Sequence, residues 1–223
     1  MQHQSYRVSG LEWFGRDVFE IALDRDGLAF IPGDCVAVFG PDGRTSRPYS
    51  IASGVNDDQL RLLIRRMPGG AVSAWLADRK PGDSVLLSPP FGWFRPGDPS
   101  LVGPHVYVAT GTGLAPFVSH LRSRPDAPRA PLLYGISTAD DAAHVAWLRE
   151  RTELHWCVSR EEVDGSHHGR VTDLLASVDP GPDAHWFLCG LDAMIDEMTR
   201  CLEARGCPIN HIHRECFFNV QPA

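Results

Sequence analysis

Hydrophobic and polar residues alternate with a period of two near the start of the chain. Phe19, Ile21 and Leu23 alternate with Glu20, Ala22 and Asp24, which is typical of a half-buried β-strand. Two Pro-Gly-Asp sequences, at 32–34 and 81–83, precede further apolar runs and predict turns. Many short strands separated by such turns predict a small antiparallel barrel interrupted by one helix. The predicted strands are 19–23, 36–39, 60–64 and 85–87, and the predicted helix is 72–78.

The pattern changes after residues 96–105, which contain three prolines and two glycines and are the best candidate for a linker. Beyond them, strand-like apolar runs alternate with longer helical segments, which predicts a doubly wound parallel sheet. We therefore predict an α/β protein of two domains: an N-terminal antiparallel β-barrel at 1–98 and a C-terminal doubly wound parallel α/β domain at 103–223. The predicted strands are 106–109, 132–136, 154–158 and 186–189, and the predicted helices are 116–122, 141–151, 171–177 and 192–205.

Composition narrows the class of protein. The net charge of −7, with no long run of Lys or Arg, counts against a nucleic-acid binder. No stretch approaches the ~20 apolar residues of a membrane span. Residues 1–4 lack the pattern of a secretory signal, so we expect a cytoplasmic protein. The six cysteines include no Cys-x-x-Cys pair, so we expect neither an iron–sulfur cluster nor a structural zinc site.

The first motif whose side chains could bind a ligand is Arg47-Pro48-Tyr49-Ser50. On a strand, Arg47 and Tyr49 share one face and Ser50 points to the other. An aromatic ring can stack on a planar ring system, and an arginine can neutralise a pyrophosphate through forked hydrogen bonds. A serine hydroxyl can donate to a ring nitrogen. Taken alone, these four residues also fit an ordinary barrel strand with one exposed arginine.

Two glycine turns follow. Gly69 and Gly70 stand just before the predicted helix, where backbone N–H groups and the helix dipole can hold an anion. Gly111-Thr112-Gly113 lies between a predicted strand and helix, the layout that holds a dinucleotide pyrophosphate, although the third glycine of the usual fingerprint is absent. Each turn taken alone also fits ordinary structure.

In this order, the three motifs resemble the ferredoxin–NADP reductase family. Segments 158–161, 188–191 and 213–218 strengthen the resemblance, which extends over nearly the whole chain. The resemblance implies an FAD-binding barrel and a nicotinamide-binding α/β domain. It also implies an FAD-dependent ferredoxin/flavodoxin–NAD(P) oxidoreductase, which moves hydride between NAD(P)H and flavin and single electrons to or from a protein carrier.

The resemblance also implies roles for individual residues. Tyr49 would stack on the flavin, Arg47 would contact its pyrophosphate, and Ser50 would lie near its N5 atom. Cys189 and Glu215 would lie beside the nicotinamide during hydride transfer. The predicted catalytic residues are Ser50, Cys189 and Glu215. The predicted cofactor-binding residues are Arg47, Pro48, Tyr49, Ser50, Arg65, Gly69, Gly70, Ala71, Val72, Ser73, Thr110, Gly111, Thr112, Gly113, Ser159, Arg160, Arg170, Cys189, Phe217 and Phe218.

The choice between NADP and NAD depends on the segments after the second and third strands of the α/β domain. Ser159, Arg160 and Arg170 stand where family members read the 2′-phosphate, which favours NADP(H). The arginine that often follows the first of these strands is absent. Asp140 and Asp141 occupy this region instead and would repel a phosphate if they pointed inward. NADP(H) is therefore the favoured cofactor, and NAD(H) is the alternative.

Several alternatives stay open. The electron partner is predicted to be a ferredoxin, a flavodoxin or a monooxygenase component. Two other functions are possible: the protein could reduce free flavin, or it could be a non-catalytic flavoprotein subunit. The presence of all three predicted catalytic residues counts against a non-catalytic subunit. His211, His213 and Glu215 share one strand face and are residue types that bind metals, but we expect no metal site. Phe217 and Phe218 either cover the flavin or pack in the core. Residues Arg61, Arg65 and Arg66 form either a basic patch for an acidic ferredoxin or a solvated strand face.

Overall fold

The structure, a computed structural model, describes residues 3–216. The chain forms two compact units. The first runs to Arg95 and also includes Ala115–Pro125, whereas the second contains Pro96–Leu114 and the chain from Asp126 onward. Across the described range, no helix is both long enough and apolar enough to cross a membrane.

The first unit contains six antiparallel strands: β1 (Gln4–Trp13), β2 (Val18–Asp24), β3 (Cys35–Phe39), β4 (Ser46–Ser50), β5 (Gln59–Arg65) and β6 (Ser84–Leu87). They pair in the order β4-β3-β6-β1-β2-β5. A bridge between Ile51 and Leu62 joins the ends of this order, and the Ala52 N–H donates to the carbonyl of Arg61 at 2.8 Å. These bonds connect β4 to β5 and close the sheet, so the predicted antiparallel barrel is confirmed.

Two helices belong to this unit, α1 (Ser73–Ala77) and α2 (Ala115–Ser123). α2 contacts the loop between β4 and β5. The Val55 N–H donates to Ser123 Oγ at 3.0 Å, and Arg122 forms an ion pair with Asp57 at 3.3 Å. A Cβ atom at Gly54 would lie 2.9 Å from the Cβ of Arg122, so the glycine permits this close approach. A segment from well beyond the predicted linker thus completes the barrel unit.

The second unit contains six parallel strands: β7 (His105–Thr110), β8 (Pro131–Ile136), β9 (Glu153–Val158), β10 (His167–His168), β11 (His185–Gly190) and β12 (Ile212–Cys216). Their order is β10-β9-β8-β7-β11-β12. The chain first moves outward from β7 through β8 to β9 and then returns to place β11 on the other side of β7. This reversal between β7 and β11 is the switch point at which doubly wound sheets bind ligands. The helices of this unit are α3 (Val145–Arg151) and α4 (Asp192–Ala204), with a 3-10 helix at Val171–Ser177.

The structure differs from the sequence predictions in four elements, one of which is the short strand β10, which was not predicted. The helix predicted at 141–151 begins only at Val145, because His144 has a positive φ of 58° and breaks the helical backbone. Residues 171–177 form a 3-10 helix and not an α-helix. β1 was not predicted. Its pairing with β2 shifts register between Val8 and Gly10, and this irregularity interrupts the period-two pattern.

Arg61 and Arg66, which were considered as part of a basic patch, each have an acidic partner. Arg61 Nη1 lies 2.8 Å from Glu20 Oε1, and the Glu20 side chain is fully buried in the barrel. Arg66 forms an ion pair with Asp17 at 2.9 Å. These pairs neutralise much of the charge that a basic docking face would need.

Candidate active site

The candidate site of the barrel unit lies on β4. Tyr49 is opposite Val36 in the neighbouring strand, and Ser50 is opposite Cys35. Arg47 is exposed and donates from Nη1 to the carbonyl of Ser46 at 2.8 Å. Ser50 is buried on the other face, with its Oγ 3.5 Å from Cys35 Sγ. The predicted division of faces is therefore observed, and an arginine and a tyrosine share one side of the strand.

Tyr49 packs its half-buried ring against the barrel core. Burial raises the pKa of its hydroxyl to about 12, and the positive charge of Arg47 opposes this shift. The hydroxyl therefore stays protonated at neutral pH and can donate a hydrogen bond. A fixed ring beside an exposed guanidinium suits a planar cofactor that carries phosphate.

The Gly69-Gly70 turn is tightly built. Gly69 has a φ of 71°, and the Gly70 N–H donates to the carbonyl of Met67 at 2.9 Å. The Met67 N–H donates to Ser73 Oγ at 3.1 Å. A Cβ atom at Gly70 would lie 2.7 Å from that same Oγ and 3.0 Å from the carbonyl oxygen of Met67, so a larger residue would require the turn to shift.

This turn leads into α1, which has only five residues, with Val72 at its N-cap. Val72 is buried, and Ser73 uses its hydroxyl within the turn. Ala71 is exposed, and Arg65 is half-buried at the end of β5. Phosphate binding by Gly69–Ser73 and by Arg65 stays a prediction.

The candidate site of the second unit lies at the carboxyl ends of β7 and β11. β7 ends at Thr110, and a 3-10 turn follows at Gly111–Leu114. Gly111 has a positive φ of 52°. Thr112, which was predicted to face the dinucleotide, is half-buried in this turn. The turn therefore lies at the switch point of the sheet, where the motif predicted it.

This turn contacts the end of β11 closely. A Cβ atom at Gly113 would lie 2.6 Å from Gly190 Cα and would also meet the carbonyl oxygen of Cys189. A Cβ atom at Gly190, whose φ is 142°, would meet Thr110 Oγ1. That same Oγ1 accepts a hydrogen bond from the Leu191 N–H at 3.0 Å. The ends of the two strands are thus so close that positions 113 and 190 require glycine. Sequence reasoning did not predict this requirement.

Cys189 and Glu215 meet beside this turn. They are register partners in β11 and β12, and Cys189 Sγ lies 3.9 Å from Glu215 Oε2. Cys189 is fully buried, whereas Glu215 is half-buried. The structure therefore brings the two predicted catalytic residues of this unit together. Phe217 and Phe218 lie outside the described residues.

The residues predicted to read the 2′-phosphate follow β9. The Ser159 N–H donates to the carbonyl of Ile136 at 3.1 Å, and the Arg160 N–H donates to that of Ser137 at 3.0 Å. Both side chains are exposed. Arg170 lies in a neighbouring segment, since the Gly169 N–H donates to the carbonyl of Val158 at 3.1 Å. The three residues thus lie near the same carboxyl edge of the sheet.

Acidic side chains also lie near this edge. Glu161 accepts a hydrogen bond from the Ala139 N–H, and the Arg170 guanidinium lies 3.5 Å from Glu197. Asp141 is buried, with the Thr138 hydroxyl 3.4 Å from its Oδ2, whereas Asp140 is exposed. Sequence reasoning considered the two aspartates but missed Glu161, although it directly follows Arg160.

A closed antiparallel barrel and a doubly wound unit with a glycine turn at its switch point define a flavin- and nicotinamide-binding oxidoreductase class. Residues 15–95 match the oxidoreductase FAD-binding domain family, and residues 107–200 match the oxidoreductase NAD-binding domain family. The chain is 32% identical to ferredoxin–NADP reductase B from Sorangium cellulosum, over 89% of this chain and 91% of that protein. The chain belongs to the ferredoxin–NADP reductase family.

Other relatives include a reductase subunit and an electron transfer component of multi-component enzymes. The chain is 33% identical to the reductase subunit of an aromatic O-demethylase from an Amycolatopsis species, over 91% of this chain. It spans 65% of that relative's length and 59% of the toluate 1,2-dioxygenase electron transfer component from Pseudomonas putida. The fold matches a ferredoxin NADP+ reductase from Neisseria gonorrhoeae with bound FAD and NADP, with a TM-score of 0.87 and 19% identity, over 98% of this chain and all of that one.

Proposed function

We propose that this protein is an FAD-dependent reductase. It moves hydride between NAD(P)H and flavin, and it passes single electrons between the flavin and a protein carrier. The observation that carries the proposal is the meeting of Cys189 and Glu215 beside the Gly111–Leu114 turn at the switch point. A buried thiol and a carboxylate at that position suit a role in orienting a nicotinamide ring.

FAD suits the residues of the barrel. The exposed Arg47 guanidinium and the Tyr49 ring lie on one strand face, and a Cβ atom at Gly70 would crowd the tight turn before α1. In this proposal, Arg47 binds the pyrophosphate, Tyr49 supports the ring system, and Ser50 donates its hydroxyl. Bound FAD supplies the chemistry that couples a two-electron donor to a one-electron carrier.

Purification and reduction test the proposal directly. The purified protein is expected to be yellow and to release FAD on denaturation. Under anaerobic conditions NADPH or NADH should bleach the flavin, and an oxidised carrier should restore the colour. A colourless protein, or a flavin that neither nucleotide bleaches, would contradict it.

The electron partner is proposed to be a ferredoxin, a flavodoxin or an oxygenase component. The ferredoxin–NADP reductase, the aromatic O-demethylase reductase subunit and the toluate 1,2-dioxygenase electron transfer component are similar to this chain at comparable levels, with identities of 32%, 33% and 29%. Titrating the reduced protein with each class of carrier would separate these partners. Reoxidation by added flavin alone, with no carrier effective, would instead indicate a reductase of flavin.

Arg47→Ala is expected to weaken FAD binding by about 10- to 100-fold, because a charge-assisted hydrogen bond to phosphate is worth roughly 1.5–3 kcal/mol. The dissociation constant of FAD, measured by fluorescence quenching on the flavin-stripped protein, tests this. Arg44→Ala is the matched control, since Arg44 is exposed in the turn just before β4. Equal FAD affinity in the wild-type protein and Arg47→Ala would rule out the pyrophosphate role.

NADP(H) is proposed as the preferred nicotinamide, on the strength of the exposed Arg160 and the nearby Arg170. Arg160→Ala is expected to raise the KM for NADPH by about tenfold or more and to leave that for NADH nearly unchanged, because only NADPH carries the 2′-phosphate. Steady-state kinetics with both nucleotides measure this. Arg200→Ala, an exposed arginine on α4, should change neither value. A wild-type protein that uses NADH better than NADPH would overturn the preference.

A further inference from the structure

Four histidines meet at the amino edge of the parallel sheet, at the opposite end of the strands from the candidate active site. His105 begins β7, His185 begins β11, His211 lies just before β12, and His213 lies within it. His185 Nδ1 is 3.1 Å from His213 Nε2. The His185 ring stacks on that of His211 at 4.3 Å between centroids and meets the edge of His105 at 6.0 Å. We call this group the histidine cluster.

The cluster holds the amino half of β12. β12 is the outermost strand of the sheet and pairs with β11. His213 adds side-chain contacts to that pairing, because it bonds to His185 and stacks on Phe187 at 4.5 Å between centroids. Two residues further along β12 is Glu215, which lies beside Cys189. The same short strand therefore joins the histidine cluster to the candidate active site.

The contacts of the cluster suit neutral rings. The hydrogen bond between His185 and His213 needs one ring nitrogen without a proton. His185 also bonds to the carbonyl of Val102, and His105 bonds to that of Leu101; these two bonds act the other way, because they raise the pKa of the two rings against the larger effect of burial. His105 Nε2 and His211 Nδ1 are buried without a hydrogen-bond partner within residues 3–216. A proton added to either would create an N–H group with no acceptor there.

Burial and most of the charges around the cluster lower the pKa of three of its rings, and one nearby carboxylate opposes this. Burial lowers the pKa of His105, His185 and His213, and the neighbouring rings of the cluster lower each further by like-charge repulsion. Asp98, from the segment before β7, opposes this by attracting protons to His105 and His213. Within residues 3–216, no group of three or more His, Cys, Asp or Glu side chains is arranged to hold a metal ion.

We propose that the histidine cluster is a proton-sensitive clamp, which holds the amino end of β12 on β11 while its rings are neutral and releases it when they are protonated. His213 and His185 are then positioning residues for Glu215, because they fix the strand that carries it. The clamp itself does not depend on the proposed function. Its effect on turnover does rest on that function.

The direction of the pH effect follows from linkage. A histidine released into water has a pKa of about 6.5, above the lowered pKa of His105, His185 and His213 in the cluster. Above about pH 6.5 both forms are neutral, and the clamp has its full strength. Below it, the released strand binds protons that the docked strand does not. Each such histidine shifts the opening equilibrium by about tenfold per pH unit, until the pH falls below the lowered pKa.

Hydrogen exchange on the purified holoprotein tests the clamp without measuring activity. Between about pH 7.5 and about pH 5.5, the protection factors of residues 212–216 should fall at least about tenfold more than those of residues 154–158 in β9. Intrinsic exchange rates at each pH are divided out. A double variant with His185→Gln and His213→Gln should lose this excess, because glutamine forms hydrogen bonds but does not titrate. His155→Gln, in β9, is the matched control and should behave as the wild type does.

The same pH-dependent excess in the double variant would overturn the clamp, and so would an equal loss of protection in every strand. If the double variant does not fold, side-chain nitrogen spectra of the wild-type protein decide the question. His185 and His213 should then both be neutral at about pH 6.5 and protonate only as the protection of 212–216 is lost. Doubly protonated rings of both His185 and His213 while β12 stays fully protected would refute the proposal. None of these readouts requires bound nucleotide or turnover, so failure of the clamp and failure of the proposed function can be told apart.

Discussion

Gly113→Ala is expected to destabilise the second unit by about 3 kcal/mol and to weaken nicotinamide binding strongly. The new Cβ atom would lie 2.6 Å from Gly190 Cα and 2.7 Å from the carbonyl carbon of Cys189. Both are backbone atoms at the switch point, and they cannot move aside as a flexible side chain can. Chemical denaturation and nucleotide titration of the purified variant measure the two effects.

Gly181→Ala is the matched control for this prediction. Gly181 also has a positive φ, 86°, but nothing lies within 4 Å of a Cβ atom built there. Alanine at this position should cost only about 1–2 kcal/mol of backbone strain and should leave nucleotide binding unchanged. If both variants lost the same stability and bound nucleotide alike, the close approach at Gly113 would not matter.

Cys189→Ser is expected to slow flavin reduction by NAD(P)H by about 10- to 100-fold while leaving FAD content unchanged. A serine hydroxyl bonds a carboxylate more closely than a thiol does, so it would draw Glu215 from its position 3.9 Å from the sulfur. Small displacements of positioning groups have large effects on the rate of a reaction between two bound rings. Anaerobic stopped-flow absorbance measures the reduction rate.

Cys157→Ser provides the comparison. Cys157 is a buried cysteine of the same sheet, in β9, and burial raises its pKa to about 12. Its replacement should reduce stability but leave the rate of flavin reduction normal. Unaltered reduction in Cys189→Ser, or equal slowing in both variants, would remove Cys189 from the proposed hydride-transfer site.

Local patterns predicted the parts of the site that depend on neighbouring residues. The period-two rule placed Arg47 and Tyr49 on one face of β4 and Ser50 on the other, as the structure shows. The glycine turn after β7 was likewise visible as a motif. The pairing of Cys189 with Glu215 came from the family resemblance, because the register of β11 and β12 is set by contacts between distant segments.

Features that join distant segments could not be read from the sequence. Gly113 was assigned to phosphate binding, whereas its contact with Cys189 and Gly190 needs both strand ends in place. The histidine cluster unites three separate segments, and the sequence showed only that His211 and His213 were near Glu215. The strand β1 was not predicted because its pairing with β2 is irregular between Val8 and Gly10. One irregular residue exchanges the two faces of a strand, so the period-two pattern does not continue along it.

The chain crosses between its two units three times, because Ala115–Pro125 belongs with the barrel. The two units are therefore not consecutive segments of the chain, and dividing the chain at a single point would not separate them. A chimera that joined this barrel to another nucleotide-binding half at residues 96–105 would discard the partners of Val55 and Asp57, which are Ser123 and Arg122. Recombination within this fold is thus constrained to exchange both segments of a unit together, or to bring in a foreign helix that already matches the loop at Gly54.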